Sequence, residues 1–210
     1  MTNHASDLPS LSRAQRIVIL ATAFLGWLCA GFHMSITQLA GQSAAIDLLH
    51  RQDSLDAAEY QRLIDAALRK EDLSNHDAER LTAWKAAAGR WFAWYQCAFL
   101  FGAAAGGLLL GRLGDAIGRS RAMAASILVY ALLAGVSSLA QTPIQFWLLW
   151  FLACLGVGGM WPNGVALVSE AWAGMSRPMV AGVIGVAANI GIFLFATLAA
   201  FYPIRPDHWR

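Results

Sequence analysis

Five long apolar blocks alternate with polar links along the chain. The blocks are residues 17–40, 91–110, 122–139, 144–168 and 179–202. A membrane-spanning helix needs roughly 20 mostly apolar residues, and inside the bilayer each backbone polar group must be hydrogen-bonded within the protein. The pattern therefore predicts an all-α membrane protein whose five transmembrane helices occupy these blocks.

A polar stretch, residues 41–90, separates the first two blocks. Charges of both signs alternate through it, and apolar residues recur at helical spacing from Leu55 to Leu68. Ser74, followed three residues later by Asp77, is a weak signal for the start of a second helix. We expect an extracytoplasmic helical insertion here. Two interpretations stay open: a cap over the outer mouth of a transport pathway, and an inert insertion.

Composition supports a membrane location and excludes several other classes. Hydrophobic residues make up 58% of the chain and charged residues 13%, whereas an average soluble domain has roughly 25% charged residues. The net charge of +2 comes with no basic patch, so we expect no nucleic-acid partner. Cys29, Cys97 and Cys154 lie inside apolar blocks without CxxC spacing, which predicts buried thiols and neither a metal site nor a cofactor.

The positions of the arginines predict the orientation of the chain. Arginines fall in the polar head (residues 1–16), in the link 111–121 and after the fourth block, whereas the link after the third block is uncharged. The excess of Lys and Arg marks cytoplasmic links. We therefore expect a protein of the plasma (inner) membrane with a cytoplasmic N-terminus, and an outer segment at residues 203–210. The first block is too long for a cleaved signal peptide.

Glycines in the second block predict a packed position for its helix. Gly102, Gly106, Gly107 and Gly111 form two overlapping GxxxG spacings. Such small residues let helix backbones approach closely in lipid. The second transmembrane helix should therefore lie inside the bundle.

The link "GRLGDAIGRSR", residues 111–121, concentrates opposite charges between two apolar blocks. Gly111 and Gly118 permit tight turns, and Asp115 precedes Arg119 by four residues. At the far end of the fourth block stands Glu170, a carboxylate that needs a partner at that depth. The link is either a conformational latch or a plain positive-inside topology signal.

Together, this link and the fourth block resemble the major facilitator superfamily. The residues that match the pattern G-x-L-x-D-x-x-G-R-[RK]-[RK] are Gly111, Leu113, Asp115, Gly118, Arg119 and Arg121, with Ser120 in place of a basic residue. The fourth block is similar to the metabolite:proton and sugar symporter branches through Gly156, Gly158, Gly159, Trp161, Pro162, Asn163 and Glu170. The ending "HWR" resembles the "WRW" that opens the sixth helix of those branches.

The resemblance implies a six-helix half, a second half that follows it, and a substrate bound between the halves near mid-membrane. It implies a small-molecule substrate, an organic acid or a sugar, with a coupling proton. The residues that would form a conformational latch on the cytoplasmic side are Asp115, Arg119, Arg121 and Glu170. The chain stops where a sixth helix should begin, so we expect a truncated N-terminal half whose C-terminal half is absent here.

Where the symporter branches carry acids in the first helix, this chain has Ala30, Gly31, Phe32 and His33. With those acids absent, His33 is the side chain of the apolar blocks that could carry a proton, because its ordinary pKa lies near 6.5. Because helices one and four line the cavity in the family, the expected substrate-side residues are His33, Thr37, Gln38, Trp161 and Asn163. Hydrogen bonds that only pack helices are the alternative for each.

Three functions compete. The leading one is secondary active transport, and the alternative is a membrane sensor or assembly subunit that keeps a transporter-like fold without transporting. An intramembrane serine protease using Ser126 or Ser169 with His33 is disfavoured, because no nucleophile motif surrounds either serine and Ser169 should lie at a different depth from His33.

Overall fold

The computed structural model describes residues 11–202, 204–206 and 209, and these residues form six α-helices with no strand. The helices are α1 (Arg13–His50), α2 (Ala57–Leu68), α3 (Asn75–Ile117), α4 (Arg119–Ser137), α5 (Pro143–Ala171) and α6 (Arg177–Phe201). All except α2 are long and apolar enough to cross a membrane. The predicted fold class is confirmed. Residues 1–10 of the predicted head, and residues 203, 207, 208 and 210 of the predicted outer segment, lie outside the described residues.

Two helices are much longer than the apolar blocks they contain. α1 has 38 residues and α3 has 43, which at 1.5 Å per residue gives lengths of about 57 Å and about 65 Å. The hydrocarbon core of a bilayer is only about 30 Å thick. The predicted insertion is therefore not a separate hairpin: α1 continues past residue 40 to His50, and α3 passes without a break from Asn75 into the second block. The helix start at Ser74 is confirmed, since its hydroxyl accepts a hydrogen bond from the Asp77 backbone at 3.1 Å.

The extension of α1 from residue 42, helix α2 and the start of α3 up to residue 90 pack together, and we call them the outer module. Its core consists of Ile46, Leu49, Leu55, Tyr60, Leu63, Leu81 and Ala88. Charged side chains on the surface of the module pair with their neighbours. Arg62 forms an ion pair with Glu59 at 2.7 Å, and the Arg80 guanidinium lies 4.7 Å from the centroid of the Trp84 ring. Hydrogen bonds from Arg62 hold the pKa of Glu59 below its ordinary value, and the backbone N–H of Glu59 does the same for the pKa of Asp56.

In the bundle, α5 packs between α3 and α4, and α1 packs along α6. Glycines mark both crossings. A Cβ on Gly106 would collide with the carbonyl oxygen of Leu155, and one on Gly158 with that of Ala103, so the backbones of α3 and α5 touch. The contact between α1 and α6 is equally close: a Cβ on Gly31 would collide with the Ala188 carbonyl, and one on Gly191 with the Leu28 carbonyl. Gly102 and Gly106 confirm that α3 packs closely against α5, whereas the predicted position inside the bundle is wrong for another face of α3, where Leu100, Phe101, Leu108 and Leu109 are exposed.

The link at residues 111–121 differs from the predicted loop. α3 stays helical to Ile117, α4 starts at Arg119, and Gly118 alone lies between them. Gly118 has φ +97°, a conformation that a residue with a side chain adopts only under strain. Gly111 and Gly114 do not turn the chain: they face α5, where a Cβ on Gly114 would collide with the Asn163 side-chain oxygen. Close contact with α5 therefore explains Gly114, whereas a Cβ at Gly111 would meet Pro162 at an ordinary 3.6 Å.

Candidate functional site

Arg119, the first residue of α4, joins three helices. Its Nη2 pairs with the Asp115 carboxylate on α3, and its Nη1 donates to the Gly111 carbonyl at 3.2 Å. The same Nη1 lies 3.4 Å from the Asn163 Oδ1 on α5. We call Asp115, Arg119 and Asn163 the Arg119 clamp. It fixes the sharp α3–α4 turn against α5.

Asn163 is the buried centre of this clamp. It has no solvent exposure, and its Nδ2 donates to the Leu110 carbonyl of α3 at 2.8 Å and to the Gly159 carbonyl at 2.9 Å. Its amide is thus engaged on both sides, and it offers no free polar atom to a ligand. The structure places Asn163 with the latch residues and not with the predicted substrate-side residues.

The predicted pairing of Glu170 with the arginines of α4 is not found in this structure. Arg119 is held by Asp115, Asn163 and the Gly111 carbonyl, and both Arg121 and Glu170 are exposed. Among the described residues, neither Arg121 nor Glu170 has an ion pair. One hydrogen bond at this end was not predicted from the sequence: the Trp172 Nε1 donates to the Arg16 carbonyl at 3.1 Å.

His33 lies inside the bundle against α5. It is 3% exposed, and its ring stacks on Trp150 with centroids 4.3 Å apart and planes 13° apart. Its Nε2 is 3.9 Å from the Cys154 thiol. One turn along α1, the Thr37 hydroxyl is buried without a hydrogen-bond partner among the described residues, as are the Tyr95 hydroxyl and the Trp150 Nε1. The His33 cluster, which we define as these five residues, holds more polar groups than its hydrogen bonds satisfy.

Gln38 lies elsewhere. It is exposed and lines an open outer cavity of about 1000 Å³ between α1, α2, Phe92 and residues 204–206. Its Nε2 is 3.5 Å from the Gln96 side-chain oxygen. Polar groups from α1 and α2 share this cavity: Gln42, Ser43, Asp47, His50, Tyr60, Gln61 and Asp65. The predicted substrate-side residues are thus split between the bundle interior and the outer cavity.

Trp161 lines a third region, an apolar groove of about 430 Å³ between α1, α3 and α5. We call it the central groove, and its main residues are Trp27, Phe99, Gly107, Gly158, Trp161 and Pro162. The rings of Trp27 and Trp161 are 4.9 Å apart and inclined by 44°. The groove has aromatic sides and no charged side chain.

A family model described as the Major Facilitator Superfamily matches residues 78–204, which is more than half of the chain. The chain belongs to the major facilitator superfamily. This confirms the resemblance that the link and the fourth block indicate. The matched segment contains α4, α5, α6 and most of α3, and hence the whole Arg119 clamp.

Named relatives of this superfamily member are transport proteins. The chain is 37% identical over 112 residues to a cis,cis-muconate transport protein of Acinetobacter baylyi, which covers 53% of this chain and 27% of that protein. It is 30% identical over 109 residues to a gentisate transporter of Corynebacterium glutamicum, covering 52% and 24%. It is 36% identical over 76 residues to a benzoate transport protein of Acinetobacter baylyi, covering 34% and 16%.

The chain thus spans about a quarter of the length of the curated relatives it matches, or less. No solved structure matches it significantly. The family and the names of the relatives indicate a transporter and not an enzyme. Within the described residues, no three histidine, cysteine or acidic side chains converge in the manner of a metal site.

Three members of the His33 cluster, Trp150, Cys154 and Tyr95, were not predicted as site residues. Tyr95 carried no signal, because a tyrosine in an apolar block usually packs with its hydroxyl near the interface.

Proposed function

We propose that this chain is the N-terminal part of a secondary transporter that carries a small organic acid across the plasma (inner) membrane by alternating access. The observation that carries the proposal is the superfamily match over residues 78–204, together with relatives named for muconate, gentisate and benzoate. Those three compounds are carboxylates with conjugated bonds. Of the two substrate classes expected from the sequence, an organic acid is therefore favoured over a sugar.

In this proposal the N-terminus is cytoplasmic and the outer module lies on the opposite side. Arg119 of the clamp, with Arg112 and Arg121, then marks the cytoplasmic ends of α3 and α4, as the positive-inside rule requires. The outer cavity is the vestibule through which substrate reaches the helices. Alternating access also needs a second helical half, which packs against the exposed faces of this one.

The Arg119 clamp supports a role as a conformational latch. Because Asp115, Arg119 and Asn163 satisfy one another, they hold α3, α4 and α5 as one rigid body. Glu170 and Arg121 are exposed at the same end of the bundle, which leaves both able to pair with the second half in one conformation only. Arg119→Ala then lowers both stability and transport, whereas Glu170→Ala changes transport alone.

His33 is the proposed carrier of a coupling proton. Among the described residues, Trp150 beside it and Thr37 one turn along α1 carry buried polar atoms that lack partners, and the Tyr95 hydroxyl does so in the same core as Trp150. Such groups are commonly satisfied by internal water. Water at these atoms would give a proton a route to the imidazole. In this proposal, uptake that rises in acidic medium loses its pH dependence in His33→Ala.

The test is uptake of radiolabelled benzoate by proteoliposomes that contain the full-length gene product. Accumulation that depends on a proton gradient supports transport, and His33→Ala separates the coupling role from the transport role. Saturable binding without any flux would instead support the alternative, a non-transporting sensor with a transporter-like fold. That alternative is favoured by the absence of acids in the first apolar block, residues 17–40, and by the large cavity in the outer module.

A further inference from the structure

The central groove brings aromatic side chains from three helices to one apolar site. Trp27 comes from α1, Phe99 from α3 and Trp161 from α5, and all three are partly buried. We propose that this groove binds the flat, conjugated part of the substrate, and that the Gly158 carbonyl accepts a hydrogen bond from a donor on that ring. This inference rests on the proposed function and specifies the substrate class for it.

The side chains of the groove favour a flat π-system over a puckered or charged group. Trp27 and Trp161 both line the groove, and their ring centroids lie 4.9 Å apart with planes inclined by 44°; a further aromatic ring packs on such side chains at centroid distances of 4.5–7 Å. No charged side chain lines the groove, so a carboxylate would lose its hydration there without a partner. The ring therefore enters the groove, and the carboxylate stays outside it.

Gly107 shows that the open space is not a requirement of helix packing. A Cβ on Gly106 or Gly158 would collide with the backbone of the neighbouring helix, whereas a Cβ on Gly107 would meet only the Gly158 oxygen, at an ordinary 3.6 Å. A side chain thus fits at position 107, yet it would project into the groove. The glycine keeps about 430 Å³ open, within the range of small-molecule sites.

Pro162 leaves one backbone carbonyl of the groove free to accept a hydrogen bond. The Gly158 carbonyl lies one helical turn before Pro162, which has no N–H to donate to it. In a membrane helix such a freed carbonyl is tolerated where it lines a cavity, and both residues line the groove. A ring hydroxyl or ring N–H can occupy the vacant acceptor position.

The first experiment compares two carboxylates that differ mainly in flatness. Equilibrium binding of benzoate and cyclohexanecarboxylate is measured on the purified full-length protein and on Trp161→Leu. We expect a preference for benzoate of about three- to tenfold, the size of an aromatic pair energy, and its loss in Trp161→Leu. The matched control is Trp94→Leu, an exposed tryptophan of α3 outside the groove, which should keep the preference.

The second experiment fills the groove without touching its aromatic walls. Gly107→Val should weaken benzoate binding more than tenfold at unchanged thermal stability. Gly135→Val is the control, because Gly135 lies in α4 with nothing within 4 Å of its Cβ position. Adding a hydroxyl, as in 3-hydroxybenzoate, should tighten binding by about two- to tenfold through the Gly158 carbonyl, whereas 3-methoxybenzoate should gain nothing.

The outcomes separate the two proposals. Equal affinity for benzoate and cyclohexanecarboxylate, or a preference that survives in Trp161→Leu, overturns the groove site and leaves transport of organic acids standing. Undiminished benzoate binding in Gly107→Val also overturns the site. A folded wild-type protein that binds neither acid overturns the site together with the proposed function.

Discussion

Asn163 illustrates how one side chain acquires its role from the residues that surround it. In the sequence it follows a tryptophan–proline pair inside an apolar block, and a polar residue there indicates a ligand contact. In the structure, glycine at position 114 leaves room for its oxygen, and two backbone carbonyls accept from its amide. Helix-packing hydrogen bonds were the alternative expected for Asn163, but no sequence pattern shows which neighbours lack a side chain at the point of contact, so its partners were not predictable.

Replacing Asn163 with alanine removes both carbonyl contacts and the acceptor for Arg119. We expect a loss of roughly 1–3 kcal/mol in unfolding free energy, because buried hydrogen-bonding groups are left without partners. Thermal unfolding of the purified protein in detergent measures it. The matched control is Asn189→Ala: Asn189 is exposed and donates only to the Gly185 carbonyl of its own helix, so the change should be within about 0.5 kcal/mol. Equal losses in both variants would refute a special role for the clamp.

Glu59 makes the outer module sensitive to acid. Its pKa is lowered from the ordinary 4.5, first of all by hydrogen bonds from Arg62. A carboxylate with a lowered pKa contributes stability that is fully present above its unfolded value and is lost as the pH falls through the folded value. Amide exchange of α2, corrected for intrinsic rates, should therefore become faster below about pH 4.5. Glu59→Gln should weaken this dependence; an unchanged pH profile in that variant would contradict the assignment.

At the scale of the element, glycine serves three distinct purposes in neighbouring helices. Gly106 and Gly158 let two backbones touch, Gly118 turns the chain at positive φ, and Gly107 keeps a groove open. The GxxxG spacing predicted correctly that α3 packs closely against another helix, although another face of α3 is exposed. It did not separate these purposes, because the spacing shows which residues share a face but not which atoms of another helix lie opposite.

Gly106→Ala tests the backbone contact between α3 and α5. The added methyl would collide with the Leu155 carbonyl, and rigid backbone does not give way as a flexible side chain does. We expect a destabilisation of about 1–3 kcal/mol, the usual cost of overpacking. Gly182→Ala is the control, since Gly182 on α6 has nothing within 4 Å of its Cβ position, and there alanine should be neutral or stabilising by about 1 kcal/mol. Both variants are compared by thermal unfolding in the same detergent.

At the scale of the whole molecule, the sequence predicted the parts that depend on local composition. Five apolar blocks became five long helices, and the superfamily resemblance holds. The continuity of α1 and α3 into the outer module was not predictable, because Gly41 and Gly89 stand where the apolar and polar parts meet and glycine disfavours a helix interior. The His33 cluster also depends on tertiary packing, which brings α1 and α5 together with Tyr95 of α3.

The outer module has a core of its own, which raises the question of whether it unfolds independently of the bundle. Leu63 is fully buried in that core, and Leu68 on the same helix is 77% exposed. Leu63→Ala should cost about 2–5 kcal/mol locally through lost burial and a cavity, whereas Leu68→Ala should cost little.

Hydrogen–deuterium exchange then shows where that loss appears. We expect faster exchange in the outer module of Leu63→Ala, with α4, α5 and α6 unchanged, because the module's core residues form a hydrophobic cluster distinct from those of the bundle and local unfolding follows cooperative units. Parallel acceleration in α5 would show instead that α1 and α3 transmit the defect along their length and that module and bundle unfold as one unit. In that case the outer module would be a rigid extension of the transport helices, and movement of α1 or α3 would open and close the outer cavity directly.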